Sequence, residues 1–244
     1  MLVNEAITAG IAVDAVFLDD AWSIESGWWP TGDIDPVIVT GGVLASVLST
    51  STPQPVCAVA RLLDRSVADV IAGCVAAARP LLVLVEVADP GNVGTLLRAA
   101  EASGCGGVVL TTGSADLYNP KTVRASAGSI FRLPVTRDVG TSELLTVVGR
   151  GGLRTWAAVA RDGVPHLDAR LDGAVAIMVG NEAHGLSPEL VASCDEAVTI
   201  TMDGPSESLN AAMAGTVLVF EALRQRHVSG PVGRVGHNGG HELP

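Results

Sequence analysis

Short apolar runs alternate with helical segments along most of the chain, and this alternation restricts the fold more than any other feature. From Leu81 onward the runs predicted as strands are LLVLVEV, GVVLT, FRLPV, RTWAAVA, AVAIMVG and AVTITM. The segments between them that are typical of helices are GNVGTLLRAAEASG, NPKTVRASAG, SELLTVVG and LSPELVASC. Continuously apolar strands are typical of parallel sheets covered on both faces. The sequence therefore predicts an α/β fold with a mostly parallel sheet flanked by helices.

A last helix is predicted from about Glu207 to His227, after a strand that ends at Met202. Four apolar residues at helical spacing predict its buried face: Leu209, Met213, Val217 and Phe220. The segment 229–244, SGPVGRVGHNGGHELP, is rich in glycine and nearly devoid of apolar residues. We predict that it is disordered.

The amino-terminal part predicts a separate small α/β domain over residues 1–60. Its predicted helices are VNEAITAG and GVLASVLS, and its predicted strands are VDAVFLD, PVIVT and PVCAVAR. A helical linker follows over residues 61–80, with a helix from Ser66 to Ala78 that Pro80 ends. Residues 81–228 form the second, larger predicted α/β domain.

Charge and composition exclude several classes of protein. The net charge of −11 argues against loose, charge-driven binding to nucleic acid, and residues 1–60 hold seven acidic and no basic residues. The four cysteines and five histidines have no metal-ligand spacing, so no metal site is expected. No apolar run reaches the roughly 18 residues of a membrane span, and no signal peptide begins the chain. We predict a cytoplasmic protein without a membrane partner.

Three predicted strand ends carry polar residues in unusual number. ADPGNVGTLLRAAEASG begins a helix with Asn92 and places Arg98 in its second turn. A capped helix with a surface arginine would explain this segment equally well. The glycines do not match the dinucleotide-binding pattern G-x-G-x-x-G, which argues against a nicotinamide enzyme.

The other two segments are VGNEAHGL and ITMDGPSESLNAAMAG. The first could be a tight turn with a solvated Glu182. The second could be a capped helix start, with Ser206 or Ser208 as the cap. A cap needs one such residue, and the additional polar residues there favour a binding site.

Taken together, DPGNVGTLLRAA, VGNEAHGL and ITMDGPSESLNAAMA resemble, in order and spacing, the three motifs of the SpoU (TrmH) branch of the SPOUT RNA methyltransferases. The resemblance covers about Leu81 to Arg226. Residues 1–60 resemble the ribosomal-protein-like substrate-binding domain often fused in front of this catalytic domain, but they lack its first segment. Their acidity leaves three interpretations open: a start further upstream, contact with protein instead of RNA, or support of a dimer.

The resemblance implies a C-terminal deep trefoil knot that binds S-adenosylmethionine. It also implies a homodimer with its active site at the interface. The implied reaction is methyl transfer to a ribose 2′-hydroxyl, with ribosomal RNA favoured over transfer RNA because of the fused domain. A transfer-RNA enzyme remains an alternative, as does a non-catalytic RNA- or ribosome-binding protein that retains the knot.

Site residues carry over from the motifs by resemblance. The implied catalytic set is Arg98, Asn92, Ser208, Asn210 and Glu182. The implied cofactor-binding set is Val179, Gly180, Asn181, Glu182, Gly185, Ile200, Met202, Ser208 and Leu209. Arg98 and Arg124 are the candidates for RNA binding. Because a guanidinium holds its proton, we predict that Arg98 grips a phosphate and polarises the hydroxyl instead of acting as the base. His184 is left out because the family varies at that position.

Overall fold

The structure, a computed structural model, describes residues 2–48, 53–204 and 208–229. Its amino-terminal part comprises α1 (Leu2–Thr8), β1 (Val13–Asp19), α2 (Asp20–Ser26), β2 (Val37–Val39), α3 (Val43–Val47) and β3 (Val56–Ala60). The strands form a sheet of order β2-β1-β3, in which β1 is parallel to β2 and antiparallel to β3. The sequence did not predict α2, which begins where the Asp19 carboxylate accepts a hydrogen bond from the Trp22 N–H.

The larger part begins with a connecting helix and continues with alternating strands and helices. In chain order these are α4 (Val67–Ala76), β4 (Leu81–Leu84), α5 (Pro90–Ala102), β5 (Gly107–Thr111), α6 (Pro120–Ala125), α7 (Ser129–Arg132), β6 (Val135–Val139), α8 (Thr141–Gly151), β7 (Arg154–Ala158), β8 (Val164–Pro165), β9 (Val175–Val179), α9 (Pro188–Ser193), β10 (Glu196–Thr199) and α10 (Ala211–Ser229). The division of the chain at residues 60 and 80 stays a prediction.

Seven strands form one sheet in the order β6-β5-β4-β9-β7-β10-β8. Every pairing in it is parallel, which confirms the predicted mostly parallel sheet. Alternate residues of a strand point to opposite faces, so each central strand contributes to two cores. In β4, Leu82 and Leu84 pack in the core beneath α5 and α10, while Leu81 and Val83 pack in the core beneath α4 and α8. All of β9 is buried.

The segment FRLPV is not a single strand, as the sequence predicted. Its first half belongs to α7, which follows Gly128 in the left-handed conformation (φ 88°), and β6 begins only after Pro134.

The strand predicted to end at Met202 ends at Thr199. Its edge partner β8 has only two residues, so the ladder stops there and the following residues form a loop.

The predicted buried face of the last helix is wrong. Met213 is 60% exposed and Phe220 43% exposed, whereas Leu218, Val219 and Ala222 are buried. The helix carries apolar residues around most of its circumference, so spacing alone could not select the face that packs.

The last helix begins at Ala211. The predicted start at Glu207 lies outside the described residues, as do the cap candidate Ser206 and residues 230–244 of the predicted disordered tail.

Contacts through the linker join the two parts. The Leu63 N–H donates to the Tyr118 hydroxyl (2.7 Å), which in turn donates to Asp64 (2.9 Å). Arg137 pairs with Asp64 (3.1 Å) and lies over the Tyr118 ring. The guanidinium holds the pKa of the Asp64 carboxyl below its usual value. The start of the linker is thus fixed against the large sheet.

Within the described ranges, no helix is both long enough and apolar enough to cross a membrane. The same ranges contain no group of three His, Cys, Asp or Glu side chains placed to hold a metal ion.

Candidate active site

A cavity of about 380 Å³ lies at the carboxyl ends of β7, β9 and β10, beside the start of α10. Parallel α/β sheets place their ligand sites at this edge. The structure brings to it all nine residues that the motifs suggested for the cofactor, namely Val179, Gly180, Asn181, Glu182, Gly185, Ile200, Met202, Ser208 and Leu209. They come from two segments about twenty residues apart in sequence, the end of β9 with the loop that follows it and the residues after β10.

Sequence reasoning missed one complete wall of the cavity. The end of β7 contributes Ala158, Val159 and Ala160, and α10 contributes Ala211, Ala214 and Leu218. These side chains are small or apolar and resemble ordinary core residues. Only the strand order, in which β7 lies between β9 and β10, would have identified the strand end as part of the site.

The loop after β9 forms a wall built by close backbone contact. A Cβ on Gly180 would lie 2.3 Å from the Gly185 carbonyl carbon and 2.5 Å from the Leu186 nitrogen, so only glycine fits. Asn181 and Gly185 form an isolated bridge. The Asn181 amide also donates to the Glu86 carbonyl (2.8 Å), which ties the loop to the segment that follows β4.

Glu182 ties the same loop to the start of α5. Its carboxylate accepts hydrogen bonds from the N–H groups of Ala88 and Asp89 (both 3.0 Å) and from the Asn92 side-chain amide (2.8 Å). Partial burial raises the pKa of this carboxyl, but the hydrogen bonds outweigh that effect and the net shift is downward. Glu182 is therefore held ionised, and its exposed carboxylate is directed at the helix start.

The start of α5 is further fixed by Asp89. Its carboxylate caps the helix by accepting from the N–H groups of Gly91 (2.5 Å) and Asn92 (3.1 Å), and Lys121 pairs with it at 3.1 Å. The hydrogen bond from Lys121 is the main cause of the lowered pKa of Asp89. Asn92 is thereby held in the position from which its amide reaches Glu182.

The two arginines suggested for RNA binding lie outside the cavity lining. Arg98 is exposed on α5 and Arg124 is exposed on α6, and neither forms an ion pair with another residue in the part of the chain that the structure describes. Their helices touch closely, since a Cβ on Gly94 would lie 2.5 Å from the Ala125 Cβ. The structure thus presents two exposed cations on adjacent helices. Neither of them lines the cavity, whereas Ser208 does.

The residues of the third motif divide between two places. Ser208 lines the cavity and is exposed. Asn210 does not line it; its side-chain oxygen caps α10 by accepting from the Ala212 N–H (2.8 Å). His184 lines the cavity, with its Nε2 atom 3.7 Å from a carboxylate oxygen of Glu86, and both side chains are more than half exposed.

The profile of the SpoU rRNA Methylase family matches residues 79–220, more than half of the chain. The chain belongs to this family. The match begins just before β4 and ends within α10, so it spans both loops of the cavity and the helix that carries Arg98. The family expected from the three motifs is confirmed.

Relatives within the family agree with this membership. The chain is 32% identical over 219 residues to the 23S rRNA (guanosine(2553)-2′-O)-methyltransferase of Bacillus subtilis strain 168, covering 90% of this chain and 84% of the relative. It is 37% identical over 142 residues to the 23S rRNA (uridine(2479)-2′-O)-methyltransferase of Streptomyces viridochromogenes, covering 56% and 50%. The crystal structure of the SpoU methyltransferase AviRb from S. viridochromogenes with AdoMet matches with a TM-score of 0.78 and 26% identity, over 94% of this chain and 89% of that one.

The residues of the cavity fit S-adenosylmethionine, the cofactor of this family. The volume lies within the range of small-molecule sites. Ile200, Met202 and Leu209 provide apolar surface for a flat base. The glycine-bounded turn between Gly180 and Gly185 brings backbone polar groups to the cavity wall without a side chain in between.

Proposed function

We propose that the chain is an S-adenosylmethionine-dependent methyltransferase that modifies a ribose 2′-hydroxyl in ribosomal RNA, within the cytoplasm. The observation that carries the proposal is the convergence of nine motif residues on one cavity of a SpoU-family sheet. Two relatives named for 2′-O-methylation of 23S rRNA support the substrate class. Their names give different nucleotides, so the target nucleotide here is left to experiment.

S-adenosylmethionine, when bound, supplies the methyl group. The described residues position the reactants and exclude water. The loop from Val179 to Gly185 and the apolar residues Ile200 and Leu209 line the space for the cofactor. Glu182 acts as a positioning residue that holds the cavity wall against the start of α5 through Asn92. Holding two reactants in line can contribute more to the rate of such a reaction than any other effect of the protein.

Arg98 is the proposed phosphate clamp for the target nucleotide, and Ser208 accompanies it at the hydroxyl. A guanidinium offers a planar pair of donors to a phosphate and keeps its proton at neutral pH. Arg98 has no competing carboxylate among the described residues, so it is available to RNA. Arg124 extends the cationic surface on α6 and contacts the same backbone further along.

A homodimer completes the proposed site. In one protomer Ser208 lines the cavity but Arg98 does not. The exposed face of α10 bears Met213 and Phe220, seven residues apart, with half-buried Val217 between them. Such an apolar stripe beside α5 is suited to an isologous contact with the same stripe of a second copy. That contact would bring Arg98 of one protomer toward the cavity of its partner.

We also propose that the segment from β10 to α10 threads the loop after β9 to form a deep trefoil knot. The proposal is supported by the close packing of α10 on α5 and β9: a Cβ on Gly215 would lie 2.4 Å from a Leu96 methyl carbon and 3.3 Å from Val179. Knots are exceptional among protein topologies, so tracing the chain in an experimental map is the direct test.

Methyl transfer to defined RNAs tests the proposed function. The purified chain and labelled S-adenosylmethionine are incubated separately with 23S rRNA transcript and with transfer RNA, and 2′-O-methyl sites are mapped in each. We expect label in 23S rRNA. Label confined to transfer RNA would overturn the substrate assignment, and cofactor binding without transfer to either RNA would indicate a non-catalytic binding protein.

Substitution of Arg98 tests the clamp. Arg98→Ala should lower methyl transfer by about 100-fold or more, because a charge at the reacting group is lost. Its affinity for S-adenosylmethionine should stay within about twofold, since Arg98 does not line the cavity. Arg98→Lys keeps the charge without the fork and should remain strongly impaired. The matched control is Arg150→Ala, at an exposed arginine of α8.

A further inference from the structure

Two arginines meet at the end of the sheet opposite the cavity. Arg79 precedes β4, and Arg226 projects from the last turn of α10. A Cβ at Gly104 would lie 3.4 Å from the Nη2 of Arg226 and 3.6 Å from the Nη1 of Arg79. The Nη2 of Arg226 and the Nη1 of Arg79 are therefore no farther apart than the sum of these two distances. A single tetrahedral anion can bridge a gap of that size.

This pair of cations has little counter-charge. One nitrogen of Arg226 donates to the Ser103 carbonyl at the end of α5, which satisfies one of its five N–H groups. The carboxylate in the last turn of α5, Glu101, is already paired with Arg132. Neither Arg79 nor Arg226 forms an ion pair among residues 2–48, 53–204 and 208–229.

Arg226 also has an unsatisfied donor. Its Nη1 is buried and has no hydrogen-bond partner among the described residues. Burial is the main cause of the lowered pKa of this guanidinium; the neighbouring Cys105 opposes the shift, and the nearby charge of Arg79 adds to it. A buried donor without a partner and a like-charged neighbour are both unfavourable, and an anion beside the two guanidiniums offsets the repulsion between them.

We propose that Arg79 and Arg226 together bind a phosphate group at the amino ends of β4 and β5. Phosphate suits this place because two guanidiniums can donate to several of its oxygens at once. Gly104 adds no side chain at the point where the two arginines converge. The strands place this site about 15 Å from the cavity edge, so it is distinct from the proposed methyl-transfer site.

Thermal unfolding with inorganic phosphate is the first test, with sodium chloride at equal ionic strength as the reference. We expect 10 mM phosphate to raise the melting temperature of the wild-type chain by about 3 °C. Arg79→Ala should fold, because Arg79 is exposed and forms no ion pair in the described part, and it should lose that increase. Arg150→Ala should keep it. The proposal would be overturned if sodium chloride raised the melting temperature as much as phosphate does, or if phosphate still raised it fully in Arg79→Ala.

A second measurement distinguishes free phosphate from the RNA backbone and confirms the part played by Arg226. Arg226→Met keeps much of the apolar packing and should also lose the phosphate response. If the site takes an RNA phosphate, Arg79→Ala should weaken binding of 23S rRNA fragments. The slope of the logarithm of the binding constant against the logarithm of the salt concentration should also become shallower by about one. If it takes free phosphate, RNA binding should not change while the phosphate response is lost.

Discussion

The side-chain amide of Asn92 donates a hydrogen bond to the carboxylate of Glu182, which lies ninety residues later in the chain, at 2.8 Å. Through this contact the start of α5 and the wall of the cavity form one hydrogen-bonded unit. The N–H groups of Ala88 and Asp89 complete it by donating to the same carboxylate.

Glu182→Gln should weaken this unit. A glutamine offers one acceptor oxygen where the carboxylate offers two, so a backbone N–H beside α5 loses its partner. We expect a loss of about 1–2 kcal/mol in the free energy of unfolding and about tenfold weaker binding of S-adenosylmethionine. Urea denaturation and titration calorimetry measure the two effects. Glu189→Gln, an exposed carboxylate on α9, is the control and should change the cofactor affinity little.

Gly180→Ala should disrupt the cavity wall. The added methyl would overlap the backbone between Gly185 and Leu186, which cannot move as a flexible side chain could. We expect loss of cofactor binding together with a fall of about 3 kcal/mol in stability. Gly149→Ala is the matched control: it lies within α8, has open space at its Cβ position, and should raise stability by up to about 1 kcal/mol. Unimpaired cofactor binding by Gly180→Ala would refute this account of the loop.

Met213→Glu and Phe220→Glu should dissociate the proposed dimer. A carboxylate in the centre of an isologous apolar contact is repeated on both partners, so two like charges would be buried together. Light scattering should give a dimer mass for the wild type and a monomer mass for the double variant. The corresponding change at Leu167, which is 60% exposed and does not belong to the α10 stripe, should leave the mass unchanged. A monomeric wild type would contradict the proposal.

Acid should destabilise the start of α5 in a defined pH range. The folded-state pKa values of Asp89 and Glu182 are both lowered, mainly by Lys121 for Asp89, and for Glu182 by hydrogen bonds that outweigh burial. A lowered carboxyl pKa contributes stability that is present above the unfolded pKa, near 4, and is lost as the pH falls through the folded pKa. Between pH 7 and 5, the urea concentration at the unfolding midpoint should therefore not change because of these two groups. At pH values below about 4 it should decrease. In Asp89→Asn the fall should be smaller.

The sequence predicted the parallel sheet because strands buried on both faces, such as LLVLVEV, are distinctive. It did not predict α7, because Phe131 and Leu133 are apolar in either a strand or a helix, and the left-handed Gly128 that begins the turn leaves no pattern of period two or 3.6. The sequence also did not predict which face of α10 is exposed, for a related reason. The spacing of Met213 and Phe220 correctly grouped them on one side, but the choice of side depends on α5 and β9, which lie far away in sequence.

The candidate site was predictable to the extent that motifs mark it. The residues from Val179 to Gly185 converge on one cavity with Ile200, Met202, Ser208 and Leu209, the residues that the motifs suggested for the cofactor. The β7 wall was not predictable, because Ala158 and Ala160 have no side-chain chemistry to single them out. The partners of Glu182 were also missed, since two of its three hydrogen bonds come from backbone N–H groups that any sequence would supply.

The attachment of the cavity wall at Glu182 has a practical consequence for protein engineering. A loop spanning residues 180–186 that is taken from a relative has to bring a carboxylate at position 182, because the N–H groups at residues 88 and 89 stay with the recipient and depend on it. A chimaera that alters cofactor or substrate preference therefore has to keep Glu182 together with the Asn92 side chain that also donates to it.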